Sequence, residues 1–153
     1  MKRSILILSF IFFIGHAFSQ SLAGDWKGKF ETTVSGGFIL PSDFQEKNFT
    51  AIALRFILNQ DSSYSVYSFT KGARPGQQDT IVVCKIASRI SGDSVFLEEV
   101  RVIVPADYPT PCFQKMFLKI RRTKRSTELN GTWESVGEKC ASEGRIFFTK
   151  QNE

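Results

Sequence analysis

Side chains able to do chemistry are scarce in this chain, and their positions exclude most catalytic schemes. There is one histidine, His16, three cysteines, Cys84, Cys112 and Cys140, and one adjacent carboxylate pair, Glu98-Glu99. His16 follows a basic head, Lys2 and Arg3, and an apolar run from Ile5 to Ile14, and precedes the small residues Ala17 and Ser19. That order is a secretory signal peptide spanning 1–19, with cleavage near Ser19. The mature chain then holds no histidine. It lacks a Ser-His or Cys-His nucleophile pair, an imidazole metal site and a general base poised near neutral pH. Neither an acidic calcium-loop spacing nor a phosphate-cradling Gly loop occurs. Glu98 and Glu99 face opposite ways if they lie on a strand, so they cannot work together as acid and base. The expectation is a protein that is not an enzyme and uses neither metal nor cofactor.

The cysteines suit an oxidising compartment, with one left over. Cys112 and Cys140 flank the segment 113–136 symmetrically about Ser126. If that segment is a hairpin, antiparallel pairing brings their backbones together, so the expected disulfide is Cys112–Cys140. Cys84 falls on the same face as Val82 and Ile86 and should be a buried thiol. Its only adjacent cation, Lys85, faces the other way, which leaves no reason for a lowered thiol pKa.

Stepping from these residues to what must hold them, removing 19 of 153 residues leaves 134, enough for one domain, 20–153, with a single core. The formal charge of +5 falls by two with Lys2 and Arg3, a balance too mild to point to nucleic acid. The leader is too short for a comfortable span of about 20 residues, and no later segment is long and apolar enough to be a transmembrane helix. Hydrophobicity repeats at two residues nearly everywhere and at 3.6 nowhere. Ile52, Leu54, Phe56 and Leu58 share one face, with Ala51, Ala53 and Arg55 on the other. Strands are expected at 23–34, 49–59, 64–69, 81–90, 95–104, 113–122, 128–136 and 145–150. The fold class is all-β, a single antiparallel up-and-down barrel of about eight strands.

The chain is organised around Leu22-Ala23-Gly24-Asp25-Trp26 and its near-copy Leu129-Asn130-Gly131-Thr132-Trp133, which hold the only two tryptophans. Leu, Gly and Trp alternate in each copy, so all three point inward from a strand. A Gly beside an indole leaves room for a neighbouring backbone or ring where a closed sheet bends. The connections also alternate in length. Those at 60–63, 91–93 and 123–127 are short and polar, and those at 35–48, 70–79, 105–111 and 137–144 are long. In a meander this gathers every long loop at one end, a recurring place for a ligand mouth. The first long loop carries Phe38, Ile39, Leu40 and Phe44, which read as a lid, an exposed patch for a partner or extra core. The Pro-rich loop adds Tyr108, whose plain role is part of a stiff connector. The basic run 119–125 belongs to a short turn at the other end, as a solvated hairpin tip or a contact for an anionic surface.

A leader followed by Gly24-x-Trp26 on the first strand of an eight-stranded meander resembles the lipocalin-like (calycin) barrels. The resemblance implies a cup binding a small apolar or amphipathic molecule. Its candidate lining is Trp26, Phe56 and Trp133 inside, with Phe38, Phe44 and Tyr108 at the rim. Only 20–23 precede the motif, so no segment is expected to close the barrel base. The chain is also similar to compact-barrel secreted protease inhibitors, which implies a filled interior and a protein partner. A third possibility is an envelope-associated structural module. The expected location is secreted or periplasmic.

Overall fold

Eight strands follow one another without a helix in the computed structural model, which describes residues 21–33, 49–72, 80–105, 112–137, 140 and 142–151. They are β1 (Gly24–Thr33), β2 (Phe49–Leu58), β3 (Tyr64–Gly72), β4 (Thr80–Ser91), β5 (Ser94–Val104), β6 (Phe113–Arg122), β7 (Ser126–Val136) and β8 (Glu143–Gln151). Each pairs antiparallel with its sequence neighbour, and β1 also pairs with β8, which closes the barrel. The fold is the expected meander and is consistent with a calycin-like barrel. No helix among the described residues is long and apolar enough to cross a membrane. The segment 1–19, expected to be a signal peptide, lies outside the described residues.

Strand boundaries follow the period-two pattern to within a few residues. The main difference is β3, which runs on to Gly72, because Thr70, Lys71 and Gly72 continue the ladder with Val82, Ile81 and Thr80 although none is apolar. A second difference concerns Leu58, expected on the inner face but half exposed. It pairs with Tyr64 at the turn, where β2 has run past the packed interior.

The short turns, between β2 and β3, β4 and β5, and β6 and β7, all lie at one end, here called the base. The long connections leave the other end. At the base the exposed tip 121–125 is held by Thr123 and Ser126, whose backbone N–H and carbonyl pair at 2.9 Å. Lys119 there pairs with Asp93 at 3.0 Å.

The base is filled. Trp26, Phe56, Leu129 and Phe148 are wholly buried, with Leu22 packed beneath them. The expectation that nothing would close this end is corrected. Ser21 to Ala23 suffice, because the Trp26 indole Nε1 donates to the Leu22 carbonyl at 2.9 Å and the Leu22 N–H donates to the Tyr64 hydroxyl at 3.2 Å. Lys150 completes the seal by donating to the Ala23 carbonyl.

The two Gly-x-Trp copies use their glycines differently. A Cβ on Gly131 would stand 1.8 Å from the Phe117 carbonyl oxygen, so this position needs the missing side chain for close approach of β6. Gly24 has no such crowding and sits at φ +115°, which favours glycine on backbone grounds alone.

Candidate functional site

Toward the long-loop end the inner wall turns polar. Alternation along β5 puts Val95, Leu97 and Glu99 on the inner face, and Glu99 is 6% exposed. Glu98 faces out toward Lys115 at 3.5 Å, so the adjacent carboxylates are divided between the two faces as expected. Ser68 on β3 and Cys84 on β4 are register partners and are also buried. Gln114 is the second residue of β6 and shares the face of Met116 and Leu118.

The backbone explains why the carboxylate stops here. The β5–β6 ladder ends at Glu98↔Lys115, although both strands continue. Against β4, Ile86 pairs with Glu99 but Lys85 pairs with Arg101, so Val100 is an extra residue immediately after the glutamate. Such a bulge bends the strand and re-aims the neighbouring side chain. The Gln114 N–H, left without its ladder partner, donates to Glu99 Oε2 at 3.1 Å. Ser68 Oγ donates to Glu99 Oε1 from two strands away. The carboxylate therefore fastens the splayed β6 to β3 across the upper interior.

Burial pushes the Glu99 pKa up, and the hydrogen bonds from Ser68 and Gln114 oppose the rise without cancelling it. Burial, with the Glu99 charge adding to it, pushes the Cys84 thiol up to about 12. Cys84 is thus a neutral buried thiol, as its place between Val82 and Ile86 suggested. One polar atom here is unsatisfied. Gln114 Oε1 is buried and accepts no hydrogen bond, an arrangement that costs stability unless something else supplies a donor. Val82 and Cys84, although buried, fall outside the contiguous apolar core.

The expected site residues separate into three groups. Trp26 and Phe56 pack together in the base, with ring centroids 6.1 Å apart, away from the long loops. Trp133 alone of the interior candidates stands at the long-loop end, edge-on to Phe30 at 4.9 Å. Its Nε1 donates to the Glu31 carbonyl at 3.0 Å, reaching over Gly144 on the intervening strand. Phe38, Phe44 and Tyr108 lie outside the described residues, in segments joining β1 to β2 and β5 to β6 at that same end. Cys112 and Cys140 stand at disulfide distance, Cα–Cα 5.6 Å, across the mouth of the β6–β7 hairpin.

Ser68 and Gln114 were not singled out from the sequence, and Glu99 was weighed only as half of the Glu98-Glu99 doublet. The available signal was a glutamate on the stripe of Val95 and Leu97, since a charged residue on an apolar face is buried or ends the strand. Among the described residues no three His, Cys, Asp or Glu side chains group as a metal site. The outer wall carries a second feature, Phe117, which is 49% exposed, packs against Phe96 at 5.1 Å and flanks grooves on either side.

Fold and site together define a closed up-and-down barrel with an apolar, filled base and a polar upper interior. No family model matches the chain, and no curated protein or solved structure matches it either.

Proposed function

We propose that this is a non-enzymatic binding protein that holds a small amphipathic molecule at the long-loop end of the barrel, above the filled base. The observation that carries the reading is Gln114 Oε1, a buried acceptor without a donor beside a buried carboxylate. An interior selected only for stability would place an apolar residue there, since a half-satisfied polar group is worse than none. The remaining lining fits a binding role. Trp133 and Phe30 supply an aromatic wall, and Phe38, Phe44 and Tyr108 are the candidates for the rim. The leader 1–19 and the paired Cys112 and Cys140 support action outside the cytosol, in a secreted or periplasmic setting.

The test is the mass of the mature protein isolated from its own secretion route, recorded under native and then denaturing conditions. An additional mass that is lost on denaturation is expected. A bare native mass with full occupancy of the folded state would move the reading to a protein partner. That second reading rests on the exposed Phe117 and its neighbour Phe96, an outward aromatic pair of the kind that interfaces use.

A further inference from the structure

We infer that the polar upper interior takes the ammonium head of a small alkylamine, with Glu99 as its counter-ion and Gln114 Oε1 as its second acceptor. The inference rests on the ligand-binding reading above and narrows it to a chemical class.

Glu99 presents a carboxylate of which Ser68 Oγ and the Gln114 N–H use one position on each oxygen. A carboxylate accepts about four hydrogen bonds in all, so both oxygens retain capacity. Gln114 Oε1 adds a third acceptor with no donor. The buried polar atom left unsatisfied here is an acceptor, so a ligand donor would satisfy it and a ligand carboxylate or carbonyl would not. An ammonium brings three donors and the charge that Glu99 lacks.

Among the described residues no cation faces this group. From β3 the side chain that meets Glu99 is Ser68, from β4 Cys84 stands beside it, and from β6 Gln114. Cys84 is the one titratable group among these, and it stays neutral at ordinary pH. The nearby basic residues are on the other face, where Lys85 and Arg101 are exposed and Lys115 is paired with Glu98. A buried carboxylate with neutral donors and no cation is held partly by its proton, and its pKa is raised accordingly. Binding an ammonium reverses that balance. At a pH below the raised Glu99 value, the proton on Glu99 leaves to solvent, the cation takes its place, and total charge in the site is unchanged. Affinity therefore increases as pH rises through the raised Glu99 value.

Depth sets the orientation. Val66, Leu97 and Met116 fill the interior on the base side of the polar group. The head is thus the deepest part of the ligand, and its alkyl chain runs toward the long loops.

The experiment is calorimetric titration of the mature, oxidised protein with octylammonium, octanol and octanoate, in two buffers of different ionisation enthalpy. Octylammonium should bind roughly tenfold or more tighter than octanol, with octanoate weakest and with a proton released only by the amine. Glu99→Gln should remove the amine's advantage and its proton release while leaving octanol binding within about threefold. Gln114→Leu, which keeps the carboxylate, should weaken the amine by a smaller factor and serves if the first variant fails to fold. Octanol or octanoate binding as tightly as the amine, or a preference that survives Glu99→Gln, would overturn the ammonium assignment and leave the ligand-binding reading standing. Failure of all three probes and of the neutral dye Nile red to bind the folded protein would overturn both.

Discussion

Trp26 and Trp133 occupy matching positions in two near-identical sequence segments, yet they stand at opposite ends of the barrel and bond in opposite ways. The Trp26 indole donates to Leu22, four residues upstream, whereas the Trp133 indole crosses β8 to reach Glu31, 102 positions away. The first is a local knot that seals the base with three residues of leading chain. The second ties β7 to β1 and depends on closure of the whole sheet. Both belong to one contiguous apolar core, outside which lie the Glu99 carboxylate and its neutral donors. The same short motif thus serves a plug at one end and a tie between strands at the other. What differs is the neighbourhood: Phe56, Leu129 and Phe148 crowd the base, while bulged β5 and splayed β6 leave the other end to Glu99 and Gln114.

This contrast can be broken by experiment. The largest effect is expected from Trp26→Ala, which empties the most tightly packed site and should lower unfolding free energy by about 3–5 kcal/mol in chemical denaturation. Trp133→Ala should lose less, since Trp133 is at the edge of the same core, 5% exposed against 0% for Trp26; equal losses would mean that the ends are energetically equivalent. Reducing the Cys112–Cys140 pair, whose members are 28 residues apart, should remove at most about 3–4 kcal/mol by the chain-entropy account. The loss should match that of Cys112→Ala, and an unchanged midpoint in reductant would show that the pair is not bonded in solution.

Gly144→Ala probes the Trp133 tie, because the added Cβ would lie 1.7 Å from the Glu31 carbonyl oxygen and 3.0 Å from the indole nitrogen. A loss of about 1–3 kcal/mol is expected, with a shift in Trp133 emission that a base substitution would not produce. The smallest effect concerns pH. The Glu99 pKa is raised in the folded protein, so between its unfolded and folded values the native state holds more protons and stability falls as pH rises. Glu99→Gln should flatten that decline. A decline of the same slope in the variant would place its origin in another group.

Much of the framework was legible before any coordinates. Strand β6 begins and ends where the alternation of Phe113 to Arg122 places it, the long connections share one end, and Cys112 and Cys140 meet because equal distances from a hairpin turn must meet. Cys84 was readable for the same reason, as an even-numbered member of an apolar stripe. The site was less visible. Glu99 interrupts a stripe in plain view, but Ser68 lies 31 residues before it and Gln114 15 after it. Their convergence depends on the extra Val100 and on a ladder that stops early, neither of which leaves a mark in hydrophobic periodicity.

The division has a physical origin. Which residues face inward, which segments are strands and which loops share an end follow from a two-residue repeat and from chain connectivity, both of which are local and present in the amino-acid order. Which inward residues meet depends on shear, bulges and closure of β1 on β8, which are properties of the whole sheet. Trp26 as a plug, Trp133 as a tie and Glu99 as a buried carboxylate were therefore decided only when the barrel closed.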